Sequence, residues 1–272
     1  MLSEDHEPSP DPSYAAPRTQ AGSTPIVVLD RLKHACDRFL ALQEEQTSPL
    51  ELLHATAAGL HGFAASVLAC EQAGLDRSTL LPHLTPVRAL HARSPFVERL
   101  QTWPRGYPGD FETVEWLCEA RNHAPVGTVG WAIEQYALQS PVAQQHRNKV
   151  GLQARAILST LVEKPDARIA SIGCGGCRDL SLIQGYIPST DGTFVLVDAD
   201  ADALAFARAR LDRLAADRCD FVHGRVPRVL ASVAAKGPFE LVVAGGLFDY
   251  LPDRCVADTL AFLRKHFPGE RT

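Results

Sequence analysis

The spacing of apolar residues changes character near the middle of this chain. Before Leu161 they recur every three or four positions; from Ala167 onward they fall into short runs that stop at glycine or at an acid. The first pattern is helical and the second is that of buried strands alternating with helices. Val28, Leu32, Ala35, Phe39 and Leu42 trace one amphipathic helix. Ser48-Pro49 opens another, a capping residue followed by proline at the first helical position, with Leu50, Leu53, Ala57 and Leu60 on its inner face. Gly62–Ala73 reads as a third helix, and Asp76–Ser94 as helical in part, interrupted by Pro82 and Pro86. Phe111–Ala120 and Val129–Leu138 follow, and Ser140-Pro141 caps a long helix over Val142–Leu161.

The second half reads as strand, glycine loop, helix, strand. Arg168–Ile172 is a short apolar run that breaks into Gly173-Cys174-Gly175-Gly176-Cys177. A helix over Arg178–Tyr186 leads to a second run, Phe194–Val197, ending in Asp198. Cys219–Val222 and Phe239–Ala244 are the third and fourth strands, and helices are expected over Asp202–Ala216, Pro227–Ala235 and Asp253–Phe267. Strands alternating with helices specify an α/β, Rossmann-like, doubly wound parallel sheet. The chain therefore divides into a disordered tail (1–24), a helical module (25–161) and an α/β domain (162–272), the tail because its proline-rich polar composition cannot offset the entropy of ordering.

Composition narrows the function classes. A net charge of -5 disfavours a broad nucleic-acid footprint. No apolar run reads as long enough to span a bilayer, and the acidic N-terminus lacks a secretory leader, so a cytoplasmic location is expected. Seven cysteines, an odd number at mostly apolar positions, suit free thiols. Cys174 and Cys177 form a C-x-x-C, but no second pair stands at ligand spacing, and small residues filling a tight turn are the better reading; no metal site is expected.

The candidate chemistry sits at the glycine loop. Glycines directly after a strand let the backbone turn and approach a ligand closely. An acid some twenty residues further on, here Asp198, can accept hydrogen bonds from ribose hydroxyls. Such geometry serves dinucleotides and S-adenosylmethionine. A dinucleotide loop needs a third glycine where this chain has Arg178, and Asp179 would repel a diphosphate. The same carboxylate suits the cationic amino end of S-adenosylmethionine, which is the cofactor expected; an NAD-dependent enzyme is the weaker alternative. Upstream, Trp103–Asp110 packs two prolines and two glycines around Arg105, Tyr107 and Asp110, a rigid loop that could be a functional platform or a plain turn.

These strings carry a resemblance. Ile172–Gly176, Val197-Asp198 and Val243–Leu251 are similar to successive motifs of class I S-adenosylmethionine-dependent methyltransferases. Pro104–Asp110 together with Gly246–Leu251 resembles, more narrowly, bacterial methyltransferases that make 3-hydroxypalmitic acid methyl ester. The resemblance implies that Gly173 and Gly175 line the methionine end of the cofactor, with Asp179 at its amino group and Asp198, next to Ala199, on the ribose, Asp200 being the alternative. Val226 would meet the adenine, because Gly224-Arg225-Val226 lacks the usual acid, and Ala244 and Gly245 would lie beneath the sulfonium. A carboxylate acceptor such as a 3-hydroxy fatty acid needs only an orienting cation, for which Arg105 and Arg147 are the candidates. For a hydroxyl or amine, Asp110, Tyr107, Asp249 or Tyr250 could take or relay the proton. The family carries seven strands and four are legible here, which the resemblance places in the order 3-2-1-4. The fourth would then be an apolar edge calling for a second copy or a partner chain over 239–244, and a cofactor-binding subunit without catalysis of its own is the rival function.

Overall fold

The computed structural model describes residues 24–44, 47–212, 217–226 and 228–266. The expected tail up to residue 23, the end of the Asp202–Ala216 helix, Pro227 and the last residues from 267 lie outside that range. Seven helices come first: α1 (Pro25–Ala41), α2 (Pro49–Gln72), α3 (Arg77–His91), α4 (Pro95–Thr102), α5 (Phe111–Glu119), α6 (Val129–Gln139) and α7 (Pro141–Glu163). They are followed by β1 (Arg168–Ile172), α8 (Arg178–Ile183), β2 (Thr193–Asp198), α9 (Ala201–Arg210), β3 (Cys219–His223), α10 (Leu230–Ala234), β4 (Leu241–Val243) and α11 (Asp253–His266). The strands form one parallel sheet, as the alternation predicts, in the order β3-β2-β1-β4 that the resemblance implies.

The period of two along the strands sorts their side chains between the two faces. Ile169, Phe194 and Leu196 pack with Ile157 and Leu161 of α7, Leu180 of α8 and Ala207 of α9. Their neighbours Ala170, Val195 and Val197 pack on the other face against Val233 of α10. Helix α7 is thus a covering layer of the sheet at its C-terminal end, while its first turn, at Ala143, joins Phe96, Leu117 and Leu138 in a separate small core. A further core, containing Val28, Leu32, Phe39, Leu52 and Ile133, holds α1, α2, α3 and α6 together.

Helix starts follow the caps read from the sequence. Ser48 and Glu51 form a reciprocal capping box, and Ser140 accepts from the Ala143 amide. Two helical expectations need correction. α2 runs unbroken through Gly62, and it is long and apolar enough, by length and composition, to cross a membrane, although little of that stretch is buried. α3 runs through both Pro82 and Pro86, which are exposed, so water can serve the carbonyls that each proline leaves without a helical partner. α4 escaped the sequence reading. Its Ser94 cap and the buried Glu134, which accepts from Ser94 Oγ at 2.8 Å and the Phe96 amide at 3.0 Å, come from elements 40 residues apart. β4 is shorter than the expected Phe239–Ala244, because Glu240 turns to hold the start of β1 and α7's end, accepting from the Arg168 amide at 2.6 Å and from Lys164.

Gly130 in α6 gives a sharp test of this packing. A Cβ there would lie 2.4 Å from the Arg93 carbonyl oxygen, which is backbone and cannot swing away. Alanine gains up to about 1 kcal/mol of helix propensity over glycine, but overpacking against a fixed group costs about 1–3 kcal/mol. Gly130→Ala is therefore expected to lower the denaturation midpoint in urea at unchanged slope.

Candidate functional site

All four strand ends open into one cavity of about 1010 Å³. Across the sheet its wall runs from Gly224-Arg225-Val226 after β3, through Asp198-Ala199-Asp200 after β2 and Gly173–Gly176 after β1, to Gly245-Gly246-Leu247 after β4. This is the crevice outside the carboxyl ends of a parallel sheet, where α/β folds bind ligands. The opposite wall comes from the helical module: Arg105, Tyr107 and Phe111, Glu115 of α5, and His146, Lys149, Val150 and Gln153 along α7.

The glycine loop is held in a conformation that needs glycine. Gly173 and Gly175 have φ of 70° and 53°, in the left-handed region. Both the Gly173 and Cys174 amides donate to the Val197 carbonyl. Asp198 fixes the next turn, Oδ2 accepting from the Gly175 amide at 2.7 Å and Oδ1 from the Asp200 amide at 2.9 Å. Asp179, just inside α8, is 7% exposed and accepts from the Leu180 amide at 2.8 Å. It forms no ion pair among the described residues, and burial pushes its carboxyl up to about 6. A carboxylate so placed beside a cavity has an oxygen to offer a hydrogen-bond donor.

Eight of the expected cofactor and acceptor residues line this cavity near the strand ends or on the helical wall: Gly173, Gly175, Asp179, Asp198, Ala199, Val226, Gly245 and Asp249, and Arg105 and Tyr107 join them from the 103–110 loop. Ala244, just after β4, does not line it, and the Tyr250 side chain lies outside the described structure. Asp110 is instead a cap: it is buried, accepts from the Thr113 amide at 3.0 Å and pairs with Arg99 at 2.6 Å. Arg147 turns away, donating to the Leu117 carbonyl at 3.0 Å and to Gln144. Asp200 also lines the cavity, but it caps α9 and binds Arg105.

Arg105 lines the cavity with its guanidinium already engaged. It forms a fork to Asp200, Nε to Oδ2 at 2.9 Å and Nη2 to Oδ1 at 2.7 Å, adds Asp202 at 2.8 Å and Glu112 at 3.3 Å, and stacks over Phe111. It straps the loop to the end of β2. Arg105→Gln is expected to leave the fold intact, lower stability by about 1–3 kcal/mol through the lost charge-assisted bonds, and speed amide hydrogen exchange within residues 103–110; an unchanged exchange rate would remove the strap. Tyr107, in the same loop, is pushed up to about 12 by burial and by the charges of Asp200 and Asp198, so it remains a protonated donor near neutral pH. The helical-wall groups escaped the reading of roles. His146 is held below its ordinary range by burial and Lys149, so it is neutral near pH 7. Lys149 forms no ion pair among the described residues. Their spacing on α7, with Gln153 one turn on, is the only signal the sequence offered.

The fold and this crevice define a Rossmann-like α/β domain. Residues 170–267 match the family model described as "Methyltransferase domain", less than half of the chain, and that segment carries a methyltransferase domain. A crystal structure of a possible exported protein from Bordetella parapertussis superposes with a TM-score of 0.51 at 16% identity, covering 93% of this chain and 71% of that one. That likeness concerns the fold alone, and it includes the helical half. A search of curated proteins finds no match.

Proposed function

We propose that the chain is an S-adenosylmethionine-dependent methyltransferase acting on a small molecule. The observation that carries this reading is Asp179, a buried carboxylate with no ion pair among the described residues at one wall of the cavity, with Asp198 held beneath the glycine loop. The two acids match, in kind, the ammonium and the ribose hydroxyls of this cofactor, and neither suits a diphosphate. Bound there, S-adenosylmethionine supplies a methyl group on a cationic sulfur. The residues of the chain then have to align an acceptor and exclude water.

The finer reading is a carboxylate acceptor, the 3-hydroxy fatty acid suggested by the sequence strings. Val150, Leu247 and Leu251 give the cavity apolar wall for an acyl chain. With Arg105 engaged and Arg147 turned away, Lys149 becomes the orienting cation. A carboxylate attacks as the anion, so no proton has to move. One-sided pairing of β4 among the described residues supports a second copy or partner chain at that edge. Mass spectrometry after incubation with isotopically labelled S-adenosylmethionine and a panel of 3-hydroxy fatty acids and small amines tests the reading. A labelled methyl ester supports it. Binding without turnover would favour a subunit that only holds the cofactor, and tight NAD binding with no S-adenosylmethionine binding would overturn it.

A further inference from the structure

Glu115 belongs to α5 in the helical module, yet its carboxylate lies under the glycine loop of the sheet. It is 6% exposed and is gripped by both arms of Arg210, the last residue of α9, Nη1 reaching Oε1 at 2.6 Å. The same Nη1 donates to the Gly176 carbonyl at 2.8 Å. Arg178, the first residue of α8, approaches the other oxygen at 3.4 Å. The contact with Gly176 is close: a Cβ at that glycine would lie 2.9 Å from Glu115 Oε1 and 2.9 Å from Cδ1 of Phe206. Phe206 in turn packs on Phe111 and carries Arg210 over its ring. One acid from the helical module thus joins two arginines and a loop carbonyl from three separate parts of the α/β domain.

From this arrangement we infer that Glu115 is a positioning residue for the cofactor loop. It acts through Arg210, fixing where the Gly176 carbonyl points and so the path of the loop between Gly175 and Arg178. The local bonds of the loop do not do this by themselves. The Gly175 amide is held by Asp198 and the Cys177 amide by the Cys174 carbonyl, but the Gly176 carbonyl takes its bond from Arg210, and Arg210 is oriented by Glu115. A buried arginine left without its acid would seek other partners, which is why the pair and not either member sets the loop. The consequence is that the α/β segment by itself does not shape its own cofactor site; the helical module completes it.

The cofactor part of this inference rests on the reading above, and the test separates the two. Hydrogen exchange on the full chain without cofactor is measured for peptides covering residues 173–178 and, as a control, for β1 and β2. Glu115→Gln and Arg210→Gln are each expected to raise exchange in 173–178 by at least about tenfold with the strands unchanged, and the double variant is expected to do no more than the larger single change. Calorimetry with S-adenosylmethionine should then show about tenfold weaker binding in each variant, with the acceptor KM unchanged. Should Glu115→Gln alone fail to fold, the double variant, which leaves no unpaired buried charge, carries the comparison. Unchanged exchange in 173–178, or fully additive effects of the two substitutions, overturns the positioning role whether or not the cofactor binds. Raised exchange together with no S-adenosylmethionine binding by the unaltered chain keeps the positioning role and overturns the cofactor reading.

Discussion

Asp198→Ala is expected to weaken S-adenosylmethionine binding by about 100-fold or more, close to 3 kcal/mol at 1.36 kcal/mol per decade. The side chain has two tasks in one place. Its oxygens hold the Gly175 and Asp200 amides at 2.7 and 2.9 Å, and they stand in the cavity where ribose hydroxyls would donate. Removing it costs the ligand its acceptor and lets the glycine loop and the start of α9 drift. Asp198→Asn discriminates between these effects. The amide retains one acceptor oxygen, so the loop should keep more of its shape while the charge-assisted bond to the ribose is lost. The expected order of affinity is wild type, then Asn, then Ala. Unchanged affinity in the alanine variant, read by calorimetry, would move the ribose contact away from β2.

Asp179 gives a prediction in pH. Its carboxyl titrates near 6 because burial penalises the ionised form, against an ordinary value of 3.8. A cationic amino group binds the ionised form, so affinity should be level above about pH 6 and fall by up to tenfold per unit below it. Asp179→Asn should bind about 10- to 100-fold more weakly at pH 7.5 and lose that pH dependence. Stability without cofactor should move the other way. A carboxyl raised in the folded state carries its penalty above pH 6, and the penalty is relieved as the pH falls from there toward 3.8. The asparagine variant, which has no charge to bury, is therefore expected to be more stable than the wild type at pH 7.5, by on the order of 1–3 kcal/mol, with the advantage shrinking by pH 5. Thermal denaturation at the two pH values checks it. A variant that both binds weakly and is less stable at pH 7.5 would show that Asp179 supports the fold and does not receive a ligand.

The sheet side of the cavity was legible from the sequence because it is built locally. Gly173, Gly175 and Asp179 follow β1 directly, and Asp198 ends the next strand, so their spacing along the chain already fixes their neighbourhood in a βαβ unit. The acceptor side was not. Arg105 and Arg147 were equal candidates as exposed-looking cations, and only the packed structure shows one strapped to Asp200 and the other spent on a helix carbonyl. Asp110 was likewise a candidate to take or relay a proton, and only its bond from the Thr113 amide and its buried pairing with Arg99 show it to be a cap.

By itself the sequence determined the alternation of strands and helices, and the glycine loop with its two acids. Those depend on period, on backbone freedom at glycine, and on contacts between residues that are neighbours along a short unit. Only the tertiary structure decided that Glu115 reaches Arg210 across 95 positions, that α2 and α3 run through residues which usually end helices, and that Lys149 faces the cavity unpaired while Arg105 does not. The physical reason is that a charge is defined by its partner. Which cation is free to meet a ligand depends on every carboxylate that folding brings within reach, and the order of residues along the chain does not contain that distance.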